Sequence, residues 1–462
     1  MDKGTAQVNI RRLAVQALLQ INRDGAYANI VLQQMLGDNK LSDVDRRFFT
    51  ELVYGVVRRR NYLDAIIMAL AKRPLRKLSS IVVEILRLGL YQLIYMDKVP
   101  DSAAVNESVK MAKKMARGLD GFVNGVLRNF IRNRDSYSID ELAKNDIERM
   151  AFIYNQPTWL LEHWLKTYGE EETIGLCTWF NERPKLTARI NTLKGSVADG
   201  MAAFEKAGWQ AEPTGKLPEA VHITRHTGSL ESAPLVKDGL ITFTDEASMA
   251  VAYVVDPQPG EKVLDCCAAP GGKTMHLAAR MANQGHITAD DIHEHKLGLM
   301  ETNAKRLGVT IADFNLQDAT QMPETWYNQF DRVLVDAPCS GLGILQRKLD
   351  MRWHKTPESL TELPKLQKQI IAEAAKTVKP GGVLVYSTCT INKGENEAVV
   401  ENFLKTHTDF TLEDASSFLP FEAEGPMVTL WPHRDEMDGF FIARLRKALK
   451  KFYVKFIVFK GI

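Results

Sequence analysis

The chain has 462 residues, 45% of them hydrophobic and 25% charged, and a net charge of +2. That is globular composition with room for several domains. Its apolar runs are all too short to cross a bilayer, and its five cysteines, with no CxxC pair among them, do not suggest a disulfide framework and argue against zinc.

The opening "MDKGTAQVNIRRLAVQALL" has neither the apolar core nor the cleavage site of an export signal. The expectation is a cytoplasmic protein, a monomer with no membrane contact and no metal. Charge is spread unevenly. Residues 1–135 carry 23 Lys+Arg against 13 Asp+Glu, a net of +10, which leaves −8 for the rest. A basic first third suggests a polyanionic partner, although a solvated helical surface would look the same.

Residues 5–131 read as helices. Leu13, Ala17, Leu18 and Ile21 recur at helical spacing, and so do Leu52, Val56, Val57 and Leu63. Ser42 with Asp45 three residues later marks a helix start. "SSIVVEILRLGLYQLIYM" is apolar nearly all round and reads as a buried central helix. Residues 132–150 are polar and read as a linker. From 151 to 245 the pattern mixes helices ("PTWLLEHWLKTYG", "VADGMAAFEKAGW") with strands ("KLTARINTL", "AVHITR", "LITFTDEAS"), as in a small α+β, RRM-like module.

From 246 to 446 short apolar runs alternate with helices, which predicts a Rossmann-like α/β domain with a mostly parallel seven-stranded sheet. In such sheets ligands bind beyond the carboxyl ends of the strands. "VLDCCAAPGGKT" is a strand, a small-residue loop and a helix start; Gly271 and Gly272 let a ligand approach the backbone. It is no P-loop, because position 267 is Cys where that motif needs Gly. Acids stand at successive strand ends: Asp265, Asp290–Asp291 and Asp318. They would repel a polyphosphate but suit S-adenosyl-L-methionine, an adenosine joined to a sulfonium and an amino acid.

Two further runs, Val333–Cys339 and Val383–Cys389, each end in a cysteine and should be neighbouring strands. A lone cysteine is usually a buried structural thiol. Two at adjacent strand ends beside a methyl-donor site fit addition of a thiolate to C6 of cytosine, which makes C5 nucleophilic. Asp336, three residues before Cys339, is placed to hold the base's N3/N4 edge, and Pro338 stiffens the loop between them.

"DAPCSG" and the later "STCT", after "CAAPGGKT", resemble the RNA 5-methylcytosine methyltransferases of the NOL1/NOP2/Sun family, in a bacterial branch acting on 16S ribosomal RNA. The resemblance implies that Cys389 is the nucleophile and that Cys339 promotes release. It implies that Cys267, Ala268, Ala269, Pro270, Gly271, Gly272, Lys273, Asp291, Asp318 and Asp336 line the cofactor, and that Lys273 and Asp336 also reach the base. Asp291 is preferred to Asp290 because the family's acid precedes an apolar residue. The target it implies is cytosine 967. "GFVNGVLRNF" matches the end of the NusB-like RNA-binding domain carried in front, so residues 1–131 are expected to be that domain. Thr244, Gln346 and Leu349 depart from the family's pattern at positions expected near the RNA path. Residues 447–462 read as a peripheral tail. A transfer-RNA target and a non-catalytic RNA-binding role are the alternatives.

Overall fold

The computed structural model describes residues 8–449 except Lys40, Ser229 and Glu231. The described residues form two compact units, one running up to residue 183 and taking in 345–357, the other made of 184–344 and the described residues from 358 onward.

The first unit is helical. Helix Ser80–Tyr95 is its centre, with every residue from Val82 to Leu93 buried, as a helix apolar nearly all round leads one to expect; Glu84 and Arg87 are buried as an ion pair. Helices Ile10–Asn22, Asp43–Arg58 and Asp120–Arg132 pack their apolar stripes on it. Ser42 caps the second of these by accepting from Asp45 N. The stretch expected to be a linker instead holds helices Ile139–Leu142 and Asp146–Tyr154, and Tyr137, Ile139 and Leu142 pack against the core.

Residues 345–357, "LQRKLDMRWHKTP", belong to this unit although they fall within the span of the predicted α/β domain. Leu349 lies in the helical core. Gln346 Nε2 donates to Trp179 O at 2.9 Å. Arg352 is fully buried and donates to Asn155 O (2.8 Å), Leu345 O (3.1 Å) and Phe180 O (3.4 Å). Asn155 and Phe180 end two helices, so the guanidinium satisfies carbonyls that a helix leaves unpaired. Trp353 Nε1 donates to Val57 O at 2.7 Å. Gln346 and Leu349, expected near an RNA path, are therefore packing residues, and Trp353 packs too.

The second unit has two sheets. The smaller is antiparallel, in order β2-β3-β1-β4, from β1 (Thr187–Ile190), β2 (Gln210–Pro213), β3 (Ala220–Arg225) and β4 (Ile241–Phe243). Asn191 Nδ2 donates to Gly239 O and to Leu307 O, tying it to helix Glu294–Leu307.

The larger sheet holds β5 (Lys262–Asp265), β6 (His286–Asp291), β7 (Ala312–Leu316), β8 (Phe330–Asp336), β9 (Val378–Thr388), β10 (Phe410–Glu413), β11 (Met427–Leu430) and β12 (Phe440–Lys447). Seven run in the order β10-β12-β9-β8-β5-β6-β7, and β11 pairs with β12 as an eighth. Strands β7, β6, β5, β8 and β9 are parallel; β12 is antiparallel to β9. Alternate residues feed two cores. Val263, Leu334 and Val385 face helix Glu246–Val255, while Leu264, Val333, Val335 and Tyr386 face helix Ser359–Thr377. A sheet covered on both faces needs apolar strands at its centre, which is why β8 and β9 carry the runs "VLV" and "VLVY". The expected tail from 447 begins inside β12, and from residue 450 onward it lies outside the described residues. Among the described residues no helix is long and apolar enough to cross a membrane.

Candidate active site

The carboxyl ends of β5, β6, β8 and β9 bring most of the predicted residues to one edge of the sheet. The loop after β5 has Ala268 N donating to Asp290 O at 2.8 Å and Ala269 N to Asp291 Oδ2 at 3.2 Å. Ala269–Pro270 is cis, Gly271 has φ +96°, and helix Gly272–Arg280 starts there. Such a conformation favours glycine. A Cβ on Gly272 would meet nothing within 4 Å, so open space lies before the helix's free N–H groups.

Asp265, Asp290 and Asp291 lie at this loop, and Asp318 follows the next strand. Asp265 accepts from Thr274 Oγ1 at 2.7 Å, while its other oxygen is buried without a partner. Burial pushes its carboxyl up to about 7. Asp290 is fully buried, accepts from Asn315 at 3.1 Å, has one unpartnered oxygen and is likewise pushed up to about 7 by burial. Asp291 is on the loop side, taking Ala269 N and, at 2.9 Å, His293 N. Asp318 follows β7 and is held by its own loop, accepting from Thr320 N and Oγ1.

Cys339 and Cys389 lie just past β8 and β9, which are paired in parallel register. Their sulfurs are 3.2 Å apart, fifty residues apart in sequence. The hydrogen bond with Cys389, with burial second, pushes the Cys339 thiol well above its ordinary range, so it keeps its proton near neutrality. Cys266 and Cys267 are pushed up chiefly by burial. Lys273 Nζ donates to Asp336 Oδ2 at 2.7 Å, and Ser387 Oγ to Asp336 Oδ1 at 2.7 Å. Burial pulls the Lys273 ammonium down, but Asp336, helped by Cys389 and Asp265, outweighs it and holds the ammonium above its ordinary value. Its cation also lies over the Phe440 ring, 5.0 Å from the centroid.

The two cysteine loops are closed onto each other. Ala337 N donates to Ser387 O (2.9 Å) and Gly343 N to Cys389 O (3.1 Å). Ser340 Oγ and Thr390 Oγ1 are 2.8 Å apart. Behind them Glu395 accepts from Ser340, Gln367 and Asn392. Sequence reasoning missed Ser387, Phe440 and Glu395. The acid in "NKGENE" after "STCT" was visible, but its contacts span tens of residues. Among the described residues no group of three or more metal-ligating side chains exists.

A doubly wound sheet with this antiparallel edge, a bare loop after β5 and two strand-end thiols defines a group-transfer enzyme of the methyltransferase type. Comparisons with known proteins narrow it. A 16S rRNA methyltransferase RsmB/F family model matches residues 252–446, a NusB family model residues 8–132, and an RsmF/B-like ferredoxin-like domain model residues 156–228. The chain is 38% identical to the protein named "Probable ribosomal RNA small subunit methyltransferase B" of Bacillus subtilis, over 96% of this chain and 99% of that one. It is 34% identical to "Ribosomal RNA small subunit methyltransferase B" of Escherichia coli O9:H4, with the same coverage. Among solved structures, PH0851 superposes with a TM-score of 0.84 at 26% identity, over 96% of this chain and 99% of that one. NSun6 from Pyrococcus horikoshii with SFG gives 0.58 at 25% identity, over 63% and 98%. The chain belongs to the RsmB/F family of 16S rRNA methyltransferases.

Proposed function

We propose that the protein methylates C5 of a cytidine in 16S ribosomal RNA, cytosine 967 being the base that the family resemblance implies, through a covalent bond between Cys389 and C6. The observation that carries this reading is the pair of sulfurs 3.2 Å apart, with Cys389 close enough to the Lys273 ammonium for their charges to interact.

The loop after β5 fits S-adenosyl-L-methionine. Asp265 and Asp290 each keep a buried oxygen without a partner, the space before Gly272 is open, and Lys273 is already paired with Asp336. That donor set favours a cationic ligand over a polyphosphate. Residues Cys267 to Lys273 with Asp291, Asp318 and Asp336 would hold it, and when bound it supplies an electrophilic methyl group.

The chain's own residues do the rest. The Lys273 ammonium favours the thiolate at Cys389, which forms the S–C6 bond and moves the ring's electron pair towards C5. Asp336, fixed by Lys273 and Ser387, accepts from the exocyclic amine of the base. Once C5 carries the methyl group, its proton leaves to the Asp336 carboxylate. The C5–C6 double bond reforms, and the C6–S pair returns to sulfur. Cys339, still a thiol, donates its S–H to the departing sulfur and eases release. The base must be unstacked to reach this edge, which favours free or partly assembled RNA. The basic helical unit holds the phosphate backbone, and the reaction takes place in the cytoplasm.

The test is to incubate wild type, Cys339→Ala and Cys389→Ala with S-adenosylmethionine and unmodified 16S RNA, then run denaturing gels. Cys339→Ala is expected to accumulate a protein–RNA band and Cys389→Ala to give none. A band that requires Cys339 instead reverses the two roles. Failure of wild type to methylate any RNA removes the enzymatic reading.

A further inference from the structure

We infer that Glu395 is a positioning residue that fixes the Cys339 thiol against Cys389; the inference rests on the release role proposed for Cys339. Glu395 is fully buried. Its carboxylate accepts from four donors: Ser340 N (2.8 Å), Ser340 Oγ (2.5 Å), Gln367 Nε2 (3.0 Å) and Asn392 Nδ2 (3.0 Å). None of the four is a cation. A buried carboxylate without a counter-charge is expensive even when hydrogen-bonded, and stability alone is a poor reason to retain one.

Its placement explains it. Ser340 follows Cys339, and Pro338 precedes it. Gln367 Nε2, held by Glu395, also donates to Pro338 O at 3.0 Å. One carboxylate therefore grips the chain on both sides of Cys339. The same acid reaches the other cysteine's loop. Because Ser340 Oγ donates to Glu395, it must accept from Thr390 Oγ1, the residue after Cys389. Tyr386 Oη, on β9, donates to Glu395 O at 2.7 Å. Asn396 Nδ2 donates to Thr390 O at 2.9 Å. The separation of the two sulfurs is thus set from behind, by a group that touches neither base nor cofactor.

Only an ionised carboxylate can accept all four bonds. A glutamine at 395 would offer one oxygen and an NH2 group facing donors, so it must release part of the Ser340 grip. Misplacing a reacting group by about 1 Å costs on the order of 100-fold. Glu395→Gln is therefore expected to lower kcat about 100-fold, by slowing release, and to lower KM for RNA with it, so that kcat/KM is unchanged. Its signature is a Cys389–RNA band that persists on a denaturing gel, as in Cys339→Ala and unlike wild type. A merely structural loss would lower adduct formation and turnover together.

Ser340→Ala, which removes the Oγ–H bond but keeps the N–H, is the second variant, should Glu395→Gln fold poorly. It is expected to accumulate adduct to a smaller extent. Turnover at the wild-type rate without adduct, in either folded variant, overturns the inference. If Cys339→Ala accumulates adduct and the Glu395 and Ser340 variants do not, positioning by Glu395 is wrong and the release role stands. If Cys339→Ala forms none, the role of Cys339 has failed first.

Discussion

Two regions at the same edge of the same sheet are built in opposite ways. The loop after β5 is open: Gly272 faces space, and Asp265 and neighbouring Asp290 each keep a buried, unpartnered oxygen. The loops after β8 and β9 are closed: Ser340, Thr390, Glu395 and Asn396 are bonded to one another or to their neighbours, and backbone touches backbone where Gly343 meets Gly439. A region that must receive a ligand leaves polar groups waiting. The loops that hold the two sulfurs leave none among their own described side chains, although Gln367 Oε1, on the helix behind them, lacks a partner. Unsatisfied buried groups cost stability until a partner arrives, so their distribution marks where a partner is expected.

Lys273 joins the two regions, since it lies in the first turn of the open loop's helix, pairs with Asp336 on the closed side and interacts electrostatically with Cys389. The largest effect is expected from Lys273→Met. It removes the ammonium that favours the Cys389 thiolate and unpairs Asp336, and the rate of methyl transfer should fall roughly 100-fold or more. Adduct formation by a Cys339→Ala, Lys273→Met double variant should slow in proportion. If the rate is unchanged, the two regions are chemically independent.

The same substitution in each region sharpens the contrast. A Cβ on Gly343 would sit 2.0 Å from Gly439 O, and backbone cannot move aside cheaply. Gly343→Ala should destabilise the protein by about 1–3 kcal/mol, as overpacking does, and disturb the cysteine spacing. Gly272→Ala meets nothing in the free protein, so its melting temperature should hold or rise slightly, since alanine suits a helix better. Its affinity for S-adenosylmethionine should drop about tenfold, close to 1.4 kcal/mol. Thermal scans with calorimetric titration check both halves.

How much of this was legible follows from how local each signal is. Cys339, Cys389 and Asp336 could be placed from sequence because parallel strands align their carboxyl ends, so two motifs at two strand ends must meet. The closed network could not. Glu395 reaches Ser340 across 55 residues, and Phe440 reaches Lys273 from a strand at the far end of the domain. Gln346 was expected near the RNA path, and Arg352, in the same polar stretch "QRKLDMRWHK", was not singled out. They are buried because carbonyls at helix ends need donors, and a sequence does not show which helix end is short of one. The polar stretch 132–150 misled in the same way, since its few apolar residues are enough to dock it on the core.

The smallest expected effect tests the open loop through its acids. Asp290 has a carboxyl pushed up to about 7 by burial, against roughly 4 for an unfolded chain. Between those values the folded state holds the proton and the unfolded state does not, so this group's contribution to stability falls as pH rises from about 4 to about 7 and is flat above. His276 slopes the other way: burial pulls it down to about 4, so stability is lost as pH falls from about 6.5 towards 4. Comparing variant with wild type at each pH separates the two. Asp290→Asn can still accept from Asn315 and carries no charge, so it should raise the melting temperature at pH 8 by a few degrees, about 1 kcal/mol, and leave it nearly unchanged at pH 5. Equal shifts at both pH values would mean that Asp290 is already ionised and partnered in the free protein. In that case the open loop would differ from the closed one in shape alone.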